Sequence, residues 1–336
     1  MSSTLRPVHG GNLLQAVARF GGTPEQWLDL SAALNPQPYP APATEPALWY
    51  TLPQPDAALH AAACAYYGAA KLLPVAGSQA AIQALPRLRA PGSVAVAHPS
   101  YAEHGWRWAR AGHQVARYPH AELAAQAGKM DVLIVCNPDN PSGQRWPQQA
   151  VLAMAAAQAA RGGWLVVDEA FADVTPAQSV TAHAATQPGL VVLRSPGKFF
   201  GLAGLRLGFV AAADDILQTL DDELGPWTIP APVARIATDA LADRAWQAAA
   251  QQQLAAGHAR LTALLQAHGL PADGCLLFAG GAYAHADALQ QHLAQHHIWC
   301  LLFTDPQPRF RLGLPASEAH WQRLAATLAG FVPDTL

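Results

Sequence analysis

Between residues 90 and 212 the chain alternates short, unbroken apolar runs with longer polar or alanine-rich stretches. The runs lie at 94–97, 132–136, 164–167, 190–193 and 207–211. None shows polar alternation, which is the pattern of a strand covered on both faces, as in a parallel sheet between helices. Alanine-rich stretches such as 148–158 predict those helices, since alanine has the best helix propensity and packs closely. The pattern predicts an α/β fold: a large domain with a mostly parallel sheet sandwiched by helices. The proline-dense stretch 36–55 is predicted to be an extended arm running over the surface, because proline lacks the N–H donor that regular structure uses. Beyond residue 225 the pattern changes to one long helix over 232–268, short strand-like pieces and a last helix from Glu318, a smaller α+β unit. The reading divides the chain into an N-terminal arm over 1–35 associated with the small domain, a large domain over 36–225 and a small C-terminal domain over 226–336. No internal repeat is present.

Composition narrows the function classes. Of 336 residues 51% are hydrophobic and only 13% charged, with a formal net charge of −3. No segment clusters Lys and Arg, so neither nucleic acid nor an anionic membrane is an expected partner. The N-terminal residues lack a basic flank followed by an apolar run, and no window has the 18 apolar residues of a membrane span, so a cytoplasmic protein is expected. Cys64, Cys136, Cys275 and Cys300 are far apart with no CxxC pair, which predicts buried reduced thiols and no metal site.

In α/β sheets chemistry gathers just past the carboxyl ends of the strands. Here each run ends in polar or aromatic groups: His98-Pro99-Ser100-Tyr101, then Asn137-Pro138-Asp139-Asn140-Pro141-Ser142-Gly143, then Asp168-Glu169-Ala170-Phe171, then Arg194-Ser195-Pro196-Gly197-Lys198. Pyridoxal-5'-phosphate (PLP) chemistry asks for a lysine to form an imine, a carboxylate opposite the pyridine nitrogen, donors for the phosphate and a flat group on the ring. Lys198 and Asp168 meet the first two needs, the latter as a desolvated acid for which a pyridinium is a suitable counter-charge.

The Asn-Pro-x-Asn-Pro-Ser-Gly loop, the Asp-Glu-Ala-Phe turn and the Ser-x-x-Lys stretch, in this order, resemble fold-type I PLP enzymes of the aminotransferase superfamily. Within it, His9-Gly10-Gly11-Asn12, the stretch from Leu30 to Pro36 and Gly204-Leu205-Arg206-Leu207-Gly208 resemble the threonine-phosphate decarboxylases of cobalamin biosynthesis, whose nearest relatives are the histidinol-phosphate aminotransferases. The resemblance implies a homodimeric enzyme with PLP as cofactor and a small phosphorylated amino acid as substrate. It assigns Lys198 to the cofactor aldehyde and the proton transfers, Asp168 to the ring nitrogen, Asn140 to the ring hydroxyl oxygen and Tyr101 to stacking. Ser195, Arg206 and Gly77-Ser78-Gln79 would cradle the cofactor phosphate, with Tyr50 reaching the phosphate of a neighbouring subunit. Arg311 would grip the substrate carboxylate, and His9, Gly10 and Asn35 the substrate phosphate. Two departures stand out: Phe171 replaces the tyrosine usual in aminotransferases, which favours the decarboxylase branch, and Tyr50 is followed by Thr51-Leu52-Pro53 instead of directly by proline.

Blander readings compete at each position. Lys198 after a glycine turn could be a solvated surface residue, Asp168 a helix N-cap, Asn140 a turn former between prolines, Tyr101 ordinary core. Arg206 and Arg311 sit among apolar residues, where an unpaired guanidinium is costly and an anion is the expected counter-charge. His292 and His296, one helical turn apart without a third ligand, read as a solvated face rather than a metal site. Gly201 to Gly208 precedes a strand instead of opening a helix, which excludes a dinucleotide fingerprint. A ligand-sensing relative fused to a DNA-binding segment would carry a basic helix-turn-helix; the N-terminal arm shows no such segment and Lys198 is retained, which ranks that reading below an enzyme.

Overall fold

The computed structural model describes Pro7 and residues 9–333. Contacts divide the chain into two compact units: Tyr39–Asn140 with Gln144–Ala248, and Pro7–Pro38 with Pro141–Gly143 and Ala249–Leu336.

The first unit is built on a seven-stranded sheet in the spatial order Leu73–Val75, Gly208–Ala211, Leu190–Arg194, Trp164–Glu169, Val132–Cys136, Ser93–Ala97, Gln114–Tyr118. The five strands from Leu190–Arg194 to Gln114–Tyr118 are parallel, and Gly208–Ala211 runs antiparallel to its neighbours on both sides. Every residue of Val132–Cys136 and Leu190–Arg194 is buried, as continuous apolar runs require when helices cover both faces. All five predicted runs are strands. Two further strands escaped the apolar pattern, both at sheet edges: Leu73–Val75 carries a proline, and Gln114–Tyr118 carries exposed Gln114 and Arg117. Edge strands need only one paired side and are commonly blunted by charge or proline.

The helix predicted over 232–268 is two helices, Ala231–Ala242 and Arg244–Ala267, broken at Asp243. The Asp243 carboxylate accepts from the Trp246 backbone N–H at 2.9 Å, capping the second helix, and the buried Gln247 side chain donates to the Ala240 and Leu241 carbonyls at 3.0 Å, closing the first. Residues 226–248 group with the sheet rather than with the C-terminal unit, because Ala231–Ala242 packs on the Ala57–Tyr67 helix. The stretch 36–55 holds no strand and no α-helix; it is irregular, with bends at 36–37 and 50–51 and the short turn Pro46–Trp49.

The second unit has a four-stranded antiparallel sheet in the order Leu301–Phe303, Arg309–Gly313, Phe278–Ala282, Asp273–Cys275. Leu28–Asp29 pairs in parallel with Ile298–Trp299, and Phe20, Trp27 and Trp299 pack ring to ring beside it. Residues 7–38 are thereby tied to the C-terminal part of the chain. No helix among the described residues is long and apolar enough to cross a membrane.

Candidate active site

The parallel strands deliver their terminal residues to one end of the sheet. Asp168, only 5% exposed, lies next to last in Trp164–Glu169. Its Oδ1 accepts from the Ala170 N–H at 3.0 Å and its Oδ2 stands 2.8 Å from His104 Nε2. Both oxygens are therefore held in place. His104 was not singled out from the sequence, though it follows Tyr101 by three residues, the spacing that puts both on one face of the Ala102–Arg110 helix turn. Their rings meet edge to face at 5.9 Å.

Tyr101 donates its hydroxyl to Gln79 Oε1 at 3.1 Å, and Gln79 donates in turn to buried Glu103 at 2.8 Å, which also accepts from Arg107 Nε at 2.9 Å. Burial first, then the negative charges of Asp168 and Glu103, push the Tyr101 hydroxyl far above the ordinary phenol range, so it stays a neutral donor with a fixed ring plane. The Gln79 side chain thus locks that ring.

Lys198 is half-buried in the short helix Pro196–Phe199, its Nζ 5.6 Å from the centre of the Phe171 ring. Ser78 and Ser195 oppose their hydroxyls at 2.7 Å. Gly77 caps the Ser78–Ala84 helix with φ +74°, and a Cβ there would come within 2.6 Å of the Arg206 guanidinium. Gly208 is equally constrained: a Cβ would stand 2.4 Å from the Ser78 backbone nitrogen. These two glycines let the Ser78 turn, the start of Gly208–Ala211 and Arg206 crowd together. Arg206 is exposed and donates to the Ala203 carbonyl at 3.3 Å, so the burial argument made for it from its apolar neighbours does not apply. Two hydroxyls, a guanidinium and the free N–H groups of a helix start form a donor set suited to a phosphate. With an amine, an aromatic ring and a buried carboxylate alongside, the residues present fit the chemical needs of PLP.

Asn140 is half-buried at the end of the loop after Val132–Cys136. That loop is braced by Asn137, whose side chain exchanges two hydrogen bonds with the Trp146 backbone at 2.9 and 3.1 Å, and by Ser100 donating to Asp139 at 2.5 Å. Tyr50 is 82% exposed, which sets it apart from these buried residues.

In the second unit Arg311 is 4% exposed and donates to the Ser31 carbonyl at 2.7 Å. Ser31 also accepts from the Gly11 N–H at 2.8 Å and donates to Asp29 at 2.6 Å. A Cβ on Gly10 would lie 2.3 Å from the Ser31 oxygen, so only glycine allows this approach. Ser31 thus joins two of the predicted substrate residues, Gly10 and Arg311, a role its sequence context did not reveal. Asn35 is buried and accepts from the Gln37 N–H at 2.9 Å; His9 is half-buried beside Gly10. His292 Nε2 donates to the Thr327 carbonyl oxygen at 2.8 Å, so His292 is held against the last helix, while His296 is exposed as a solvated face requires.

Residues 28–328 match the sequence family Aminotransferase class I and II. The chain belongs to this family. It is 48% identical over 324 residues to a threonine-phosphate decarboxylase of Pseudomonas aeruginosa, covering 96% of this chain and 97% of that one. Identity to a threonine-phosphate decarboxylase of a Sinorhizobium species is 41% over 334 residues, with coverage of 96% and 97%. In three dimensions a histidinol-phosphate aminotransferase of Sinorhizobium meliloti, solved in complex with pyridoxal-5'-phosphate, superposes with a TM-score of 0.80 at 20% identity over 98% of both chains. That likeness shows the fold.

Proposed function

We propose that this chain is a PLP-dependent carboxy-lyase that converts L-threonine O-3-phosphate to (R)-1-aminopropan-2-ol O-phosphate and CO2, a step of cobalamin biosynthesis in the cytoplasm. The observation that carries this reading is the similarity to two threonine-phosphate decarboxylases across nearly the whole chain. It favours decarboxylation over the alternative, amino transfer from histidinol phosphate.

When bound, PLP supplies the electron sink that accepts the pair left on the substrate α-carbon as CO2 departs. The chain supplies the rest. Lys198 Nζ provides the attachment point and afterwards the proton that replaces the lost carboxylate on that carbon. Asp168, with each oxygen already held, stabilises a proton on the ring nitrogen by opposing charge in a buried setting. Ser78, Ser195, Arg206 and the backbone at Gly77 hold the cofactor phosphate, Asn140 the ring oxygen, and Tyr101, locked by Gln79, the ring face. Phe171 sets an apolar ring 5.6 Å from Lys198 Nζ. Arg311, which donates to Ser31 through one nitrogen, would take the substrate carboxylate, and His9, Gly10 and Asn35 the substrate phosphate. By fixing how the substrate is oriented, these remote contacts would select which bond breaks, through binding energy. Tyr50 is assigned to the cofactor phosphate of the second subunit of a homodimer.

The test is direct. Purified protein given L-threonine O-3-phosphate should release CO2 with no oxo acid present, and Lys198→Ala should lower turnover by at least about 10³-fold. Amino transfer from histidinol phosphate to 2-oxoglutarate, without CO2 release from threonine phosphate, would reverse the assignment.

A further inference from the structure

His104, Cys136 and Asp168 are each 32 residues from the next in sequence, and the fold brings them to one place. Asp168 is the register partner of Cys136 across the central strands, and His104 reaches the same carboxylate from the helix above. One ligand atom from each residue lies within 4.8 Å of the other two, and all three residues are buried. We propose that in the cofactor-free protein these three side chains bind a zinc-class divalent cation, and that this cation blocks cofactor uptake.

The ligand set is one imidazole, one thiolate and one carboxylate, all of which zinc accepts, with a fourth position left for water. A tetrahedral zinc holds nitrogen and oxygen at about 2.0–2.2 Å and sulfur at about 2.3 Å, so its ligand atoms stand roughly 3.3–3.8 Å apart. His104 Nε2 and Asp168 Oδ2, at 2.8 Å, need only part slightly, and the Cys136 sulfur lies within 4.8 Å of both. Zinc takes cysteine as the thiolate, so the Cys136 thiol proton leaves to solvent as the cation enters. The carboxylate that would face the ring nitrogen is then a metal ligand, which is why metal and cofactor exclude each other. Metal binding stands independently of the function proposed above, whereas the blocking effect rests on it.

Cobalt(II) serves as the spectroscopic probe for zinc, using the full-length chain freed of cofactor. One cobalt per chain should bind with a sulfur-to-cobalt charge-transfer band, displaced by zinc. Cys136→Ala should remove the band and lower zinc affinity by at least about 10-fold, since even outer-shell losses cost that much; His104→Asn should lower the affinity likewise. If Cys136→Ala does not fold, Cys136→Ser, closer in volume, is put to the same measurement, with the sulfur band absent and the affinity lowered. Absence of the band in the unaltered protein overturns the proposal, as does its persistence in Cys136→Ala, which would place the metal at Cys64, Cys275 or Cys300. Zinc added first should slow PLP uptake, read by absorbance, and a chelator should restore it. Metal binding with unchanged uptake overturns the blocking claim, and a metal-free protein that takes up no PLP overturns the cofactor reading while leaving the metal site standing.

Discussion

At the scale of single residues, most of the site consists of side chains whose freedom has been removed by a neighbour. Tyr101 is tethered by Gln79, Asp168 by Ala170 and His104, and Arg311 by the Ser31 carbonyl. Tethering keeps each group near the geometry its task needs, so little ordering entropy remains to be lost when the ligand arrives. Arg311 gives the sharpest test. A lysine there keeps the charge and loses the planar fork that can serve Ser31 and a carboxylate together. Arg311→Lys should raise KM for threonine phosphate roughly 10–100-fold, the size of one lost charge-assisted hydrogen bond, and steady-state kinetics will show it. The sequence pointed to Lys198 and Asp168 because their residue types and strand-end positions are chemically distinctive, and to Arg311 through the family resemblance and its apolar neighbours. His104 and Ser31 were passed over because an isolated histidine or serine carries no such mark until its partner, 64 residues away for His104, is known.

Strands and helices are fastened to one another at both ends of the large sheet. At the carboxyl ends Glu169 and Arg194 are register partners, and Arg194 also donates to Asp173 at 2.5 Å while its guanidinium covers the Tyr67 ring. Alternation along a strand turns Glu169 and Arg194 away from the face used by Asp168 and Ser195. Their ion pair therefore ties together the two strands that carry those groups. At the opposite ends the Asp131 carboxylate accepts from the backbone and side chain of Ser93, both at 2.7 Å. The Ser93 backbone bond, followed by its hydroxyl, holds the Asp131 carboxyl below its ordinary range. A depressed carboxyl pKa contributes stability above the unfolded value, and that contribution disappears as pH falls through the folded value. Asp131→Asn should thus cost about 1 kcal/mol at neutral pH, small because the group is partly solvated. The gap between the two proteins should close below about pH 4, as urea midpoints measured across pH will reveal.

For the molecule as a whole, Trp49, Tyr50 and Leu52 present three large exposed side chains within four residues of the proline arm. Surface of this kind commonly marks an interaction site, and a second copy of the chain is the partner the proposed Tyr50 role requires. Sedimentation should find a dimer, and Trp49→Glu should shift it toward monomer with a loss of turnover; a monomeric active enzyme would remove Tyr50 from the site. Amino-acid order alone determined the five buried strands, because a strand covered on both faces must be apolar throughout, and it determined which residues close them. It also carried the family likeness, since the loop, turn and lysine motifs are local in sequence. Tertiary structure alone decided the edge strands, the break at Asp243, the hub at Ser31 and the meeting of His104, Cys136 and Asp168. Each of these depends on contacts between distant segments or on a single capping bond, and such energies leave no periodic trace in the order of residues.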